Sequence, residues 1–292
     1  MTEPNDLTVT GEEASLPLLS RKFQKALKYA ANAHATHRRK GTDSRRPGGP
    51  STGDGVPYLA HLMEVAAVVL DAGGDEETAI AALLHDVVED QGGEARAAQV
   101  GRKFGPRVLE IVLACSDSTD PELKRTDYWF DRKRHHVDQA AHATDESFLL
   151  VLAADKLSNC RALITDLQLG AMTGDALEVF RIFRPFADAT GTGKGASTPP
   201  RSSDPFFDLV SGASPAAEQD ALRYSATCTL WYYEAVFAVL QRLAEERDSE
   251  PLDRVVLQLM ISIGILEKYL DQHEIDIAEV RAAAGIEPLK GR

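Results

Sequence analysis

Ala81-Ala82-Leu83-Leu84-His85-Asp86-Val87-Val88-Glu89-Asp90 carries an apolar run into two adjacent pairs of ligand-type residues. On an α-helix, residues four apart share a face. Read as one helix over about 75–90, the segment stacks His85 with Glu89 and Asp86 with Asp90. The rest of that helix is Ala, Leu and Val. No Lys or Arg occurs between Asp71 and Glu94, whereas a solvated helix would scatter cations among such acids. The polar edge therefore faces a site, and Gln91-Gly92-Gly93 ends the helix.

Outward from this segment, apolar residues recur at helical spacing, and no alternating strand pattern emerges. The spacing predicts helices over 20–38, 58–72, 94–103, 106–115, 121–142, 145–163, 173–187, 216–247, 251–271 and 274–284. Residues 41–56 and 188–215 are rich in Gly, Pro and Ser and read as loops. No internal repeat is visible. The expected fold is all-α, a helical bundle with two inserted loops. Residues 1–19 read as a flexible N-terminus, 20–247 as one domain and 248–292 as a C-terminal helical extension.

The chain has 292 residues, enough for a substantial core, and its 43% apolar and 26% charged residues are ordinary for a globular protein. A formal net charge of −13 argues against a nucleic-acid polymer as partner. It leaves room for a small phosphorylated ligand held by a local basic cluster. Cys115, Cys160 and Cys228 are odd in number and widely spaced, which suits reduced thiols in a cytoplasmic protein. The N-terminus lacks a signal pattern, and the longest apolar stretch, around 255–266, is too short to span a bilayer.

Further groups able to bind a metal sit inside other apolar helical segments. His61 lies in Pro57-Tyr58-Leu59-Ala60-His61-Leu62, and Asp155 closes the run Leu149-Leu150-Val151-Leu152-Ala153-Ala154. A carboxylate there is costly to bury unmatched, and a metal or a charge partner is the usual compensation. Two imidazoles and two carboxylates suit Mn, Fe or Zn better than Ca or Mg. The bland alternatives are a satisfied core histidine at His61 and an Asp155 that merely pairs with Arg161.

The order His, His-Asp, distant Asp resembles the HD-type metal-dependent phosphohydrolases. The flanking stretches Arg38-Arg39-Lys40-Gly41, Pro57-Tyr58-Leu59-Ala60-His61, Phe104-Gly105-Pro106-Arg107-Val108 and Ala154-Asp155-Lys156-Leu157-Ser158-Asn159-Cys160-Arg161 are similar to the hydrolase half of the RelA/SpoT alarmone enzymes. They look closest to the stand-alone hydrolases of the metazoan SpoT-homologue type, over roughly 20–165. The resemblance implies one Mn²⁺ held by His61, His85, Asp86 and Asp155, with Glu89 and Asp90 moving the protons. The implied reaction removes pyrophosphate from the 3′ position of ppGpp or pppGpp. It also implies that Arg39 and Lys40 lie against the base or its phosphates, that Asn159 contacts ribose or phosphate, and that Arg223 supplies another phosphate contact. Arg132-Lys133-Arg134 reads equally as a solvated helix face, and Leu230-Trp231-Tyr232-Tyr233 as core.

The chain departs from that pattern: the 188–215 loop and the two helices after 250 have no counterpart in it. The 41–56 loop is longer than in relatives, and His37 stands where they often carry Gln, which leaves guanine preference open. Two other readings stand beside the first. One is an HD phosphohydrolase for a different nucleotide, such as an adenine alarmone or NADPH. The other is a non-catalytic alarmone-binding regulator. A homo-oligomer, and pairing with an alarmone synthetase, are further expectations.

Overall fold

The computed structural model describes residues 19–40, 55–116, 129–173, 176–190, 206 and 216–284. They form helices α1 (Arg21–Ala33), α2 (Leu59–Asp71), α3 (Glu76–Leu84), α4 (Val87–Gln91), α5 (Gly93–Phe104) and α6 (Pro106–Cys115). After these come α7 (Trp129–Ala141), α8 (Glu146–Thr173), a 3₁₀ helix (Ala176–Ile182), α9 (Arg184–Thr190), α10 (Ala216–Arg247), α11 (Glu250–Asp271) and α12 (Ile277–Ala284). The fold is all-α; the one β-type feature among the described residues is an isolated antiparallel bridge, Arg38 to Pro57.

Local chemistry sets the helix ends. Ser20 caps α1 through the Lys22 amide at 3.0 Å, and Asp75 caps α3 through the Thr78 amide at 2.7 Å. Gly105 at φ +92° separates α5 from α6, a conformation costly for any other residue, and Pro106 then opens α6. The long α8 runs through the centre. Its Phe148, Leu149, Val151, Ala153, Ala154 and Leu157 are buried, and it packs against α2, α3, α6 and α11. No helix among the described residues is long and apolar enough to cross a membrane.

Several expected boundaries move. The helix expected over 20–38 ends at Ala33, because His34–His37 turn and Arg38 joins the bridge. The helix over 145–163 continues to Thr173, where Leu163, Ile164 and Leu167 extend the buried face. The helix over 173–187 is instead a 3₁₀ turn and then α9, whose second residue, Pro185, cannot donate into a preceding helix. Residues 188–190 therefore belong to a helix, while 191–205 and 207–215 lie outside the described residues, as do 1–18, 41–54, 121–128 and 285–292.

The decisive segment also departs from the single helix expected. α3 stops at Leu84 and α4 begins at Val87. His85 Nδ1 lies 2.8 Å from the Ala82 carbonyl, which a continuous helix would offer to the Asp86 amide. Asp86 itself sits at φ −93°, ψ −4°, the sparsely populated region that active-site residues often adopt. His85 and Asp86 thus occupy a helix break, not an uninterrupted face.

Candidate metal centre

Two helices and that break converge. His61 from α2 and His85 from the break are 2% and 3% exposed. Together with Asp86 they bring one ligand atom each to within 4.8 Å of one another. Asp86 Oδ2 lies 3.0 Å from His85 Nε2 and 3.8 Å from His61 Nε2. Asp155 Oδ1, from α8, lies 3.1 Å from His61 Nε2 and 3.6 Å from His85 Nε2. Among the described residues buried His85 Nε2 has no hydrogen-bond partner of regular geometry, although both carboxylates lie close to it. An imidazole nitrogen that faces two carboxylates in this way fits a position for a shared cation.

The electrostatics agree. Burial alone would lower the pKa of His85, but Asp86 and Asp155 outweigh it and raise it well above the usual imidazole value. His61 is lowered, because burial dominates over Asp155. Burial would raise both carboxylates. His85 nevertheless holds Asp86 far below its ordinary range, and Lys156 with the two imidazoles does the same for Asp155. The centre therefore attracts positive charge, and nitrogen and oxygen donors in this number fit a divalent transition metal.

Other groups brace the carboxylates. Tyr58 Oη donates to Asp86 Oδ2 at 2.5 Å, and burial, then Asp86, keeps that phenol protonated. Lys156 Nζ lies 2.7 Å from Asp155 Oδ2, and Asn159 Nδ2 donates to Asp155 Oδ1 at 2.6 Å. Arg39 in turn donates to Asn159 Oδ1 at 3.0 Å. Behind Tyr58 stack His37 and His34, with ring centroids 4.0 and 5.1 Å from it. Burial lowers His34 to about 4, so it is a neutral packing ring.

The centre opens into a cleft of about 350 Å³ lined by Arg39, Lys40, Glu89, Asp90, Asp155 and Asn159, among others. Of the site residues predicted from the sequence, His61 sits at the carboxylates without lining the cleft, and Arg223 is brought to neither. Arg223 lies on α10 and pairs with Glu274 at 2.6 Å. Sequence reasoning missed Tyr58, Lys156 and Tyr232 as cleft residues. Lys156, a cation set beside Asp155 just after the apolar run Leu149–Ala154, was the available signal. Lys133 and Lys156 lie 4.9 and 5.1 Å from the Tyr232 ring centroid, so the aromatic group is both buried and part of the cleft wall.

An all-α bundle that gathers two buried histidines and two aspartates around one point defines a protein built to hold a divalent cation. Residues 26–193 match the HD domain family. A Drosophila melanogaster protein named guanosine-3′,5′-bis(diphosphate) 3′-pyrophosphohydrolase MESH1 is 35% identical over 157 residues, 53% of this chain and 74% of that protein. Its Xenopus tropicalis namesake is 33% identical over 141 residues, 47% of this chain and 67% of that one. The chain belongs to the HD-domain family, together with these MESH1 proteins. A solved structure described as a metazoan ortholog of SpoT that hydrolyzes ppGpp is 30% identical, covering 59% of this chain and 89% of that one with a TM-score of 0.42.

Proposed function

We propose that this chain hydrolyses the 3′-pyrophosphate of ppGpp or pppGpp, giving GDP or GTP and pyrophosphate, with Mn²⁺ held by His61, His85, Asp86 and Asp155. The observation that carries the reading is the convergence of those residues at one point beside an acid pair. When bound, the ion supplies a Lewis acid that neutralises phosphoryl oxygens and lowers the pKa of water.

The chain's own residues do the rest. Water bonds to the phosphorus on the 3′ oxygen as the P–O bond to ribose breaks. Glu89 or Asp90, both lining the cleft, accepts the water proton and delivers one to the departing ribose oxygen. Tyr58 fixes Asp86 by its hydrogen bond, and Lys156 fixes Asp155. Arg39, oriented by Asn159, and Lys40 bind the base or its phosphates, since a guanidinium can stack on a purine and an ammonium acts as a point charge. Lys133 and Lys156, beside Tyr232, add positive charge for the remaining phosphates. Arg223 receives no substrate role.

Residues 20–247 are proposed as the catalytic unit and 248–292 as an extension, of which Glu250–Asp271 packs along α8 and α10. The setting proposed is the cytoplasm, with an alarmone synthetase as functional counterpart.

Purified protein with Mn²⁺ is tested against a panel of ppGpp, pppGpp, adenine alarmones and NADPH, with products resolved by ³¹P NMR. Pyrophosphate and GDP from ppGpp are expected, and Glu89→Gln should lower kcat by about 100-fold with Mn²⁺ affinity kept. Turnover of the other nucleotides alone would overturn the substrate assignment. Wild type inert across the panel would overturn the enzymatic one.

A further inference from the structure

We infer that Glu64, acting through Ser158, is a positioning residue for His61, and that α11 of the C-terminal extension holds this relay in place. The inference rests on His61 being a metal ligand.

His61 Nδ1 lies 2.9 Å from Ser158 Oγ, and both residues are buried. The Ser158 hydroxyl donates to Glu64 Oε2 at 2.7 Å. A hydroxyl has one proton to give and an ionised carboxylate can only accept. With that proton committed to Glu64, Oγ faces His61 as an acceptor. Nδ1 therefore carries the ring hydrogen and Nε2 the lone pair. Nε2 is the atom that faces Asp155 and Asp86, so its lone pair opposes two carboxylate oxygens. That arrangement is repulsive until a cation lies between them, and it makes His61 a ready ligand.

His85 donates from Nδ1 to a backbone carbonyl, an acceptor only, so Nε2 is the atom it would offer a metal. Its lock is local. The lock on His61 is borrowed, first from α8 through Ser158 and then from farther away. Arg161 NH1 lies 3.7 Å from Glu64 Oε1, and Arg161 NH2 donates to Gln258 Oε1 at 2.7 Å. Gln258 belongs to α11, which packs along α8. A continuous path thus runs from the C-terminal extension through Gln258, Arg161, Glu64 and Ser158 to His61. The Glu64 and Arg161 side chains are 39% and 43% exposed, so their ion pair contributes little alone. The effect passes through the buried Ser158–His61 contact. Partners that orient a ligating imidazole commonly change metal affinity by about 10- to 100-fold.

The test is Mn²⁺ affinity, measured by calorimetry on metal-free protein without nucleotide, alongside metal-free Tm. Ser158→Ala should weaken Mn²⁺ by about 10-fold or more with Tm little changed, and Ser158→Thr, which keeps the hydroxyl, should restore it. Glu64→Leu should weaken it by about 10-fold, and Gln258→Ala by roughly threefold. Wild-type affinity in Ser158→Ala or Glu64→Leu would overturn the relay. Wild-type affinity in Gln258→Ala alone would overturn the part assigned to α11. A wild type that binds no Mn²⁺ would overturn the metal reading and this inference with it. Failure to hydrolyse ppGpp would leave the affinities, and so the relay, standing.

Discussion

Asp86 and Asp155 at the cleft, and Glu234 and Glu267 at the C-terminal end, are acidic pairs within one bundle that balance their charge differently. Glu234 is 3% exposed. Arg281 of α12 reaches it at 3.2 Å and also hydrogen-bonds Glu267. Burial first, and then Glu267, pushes the Glu234 carboxyl up to about 8. That cluster is closed, because a guanidinium stands against the pair and one proton settles the remainder. The cleft pair has the Lys156 ammonium and two imidazoles, and it leaves His85 Nε2 without a directed partner. A buried acid therefore signals chemistry where its counter-charge comes from imidazoles that can lose a proton and ligate a metal, and not from a guanidinium.

The sharpest way to break that contrast is to remove one acid from each pair. Asp86→Ala should lower kcat/KM by roughly 10³-fold, read by pyrophosphate release, whereas Glu234→Gln should leave it within about twofold. Equal losses would erase the distinction. Metal comes next. Mn²⁺ at 100 times its Kd should add about 2.7 kcal/mol to unfolding stability, seen as a rise in Tm that EDTA reverses. Asp155→Asn should abolish that gain and Glu234→Gln should keep it.

Arg281→Met should cost about 2 kcal/mol in urea unfolding, less than a fully buried pair because the Arg281 side chain is 30% exposed, while Mn²⁺ affinity holds. The last effect is one of pH. Glu234 is raised from 4.5 to about 8 in the folded protein, so the native state binds the extra proton between those values. Wild-type stability should fall relative to Glu234→Gln as pH rises from 4.5 to 8. A flat difference across that window would show the carboxyl titrating normally.

Much of this was legible in the residues. The helix expected over 216–247 is α10 to the residue, because thirty-two positions of helical spacing leave little choice. His61, His85, Asp86 and Asp155 stood out because each interrupts apolar text, and they do come together. The break at His85–Asp86 was not legible, since it depends on a side chain taking a backbone carbonyl from its own helix. Nor was the placement of Arg223, whose Glu274 partner lies 51 residues away in the sequence. Tyr58 escaped notice because a phenol declares itself only once a carboxylate 28 residues distant is seen beneath it.

The clasp formed by Arg38 and Pro57 has a consequence of its own. The Arg39 amide donates to the Val56 carbonyl at 3.0 Å and the Tyr58 amide to the His37 carbonyl at 2.9 Å. The chain leaving after Lys40 is thus stapled to the chain returning before Tyr58. The entropic cost of closing whatever is threaded between them grows only with the logarithm of its length. A change in the length of that segment would leave Arg39 and Tyr58 held in the same register by these two hydrogen bonds.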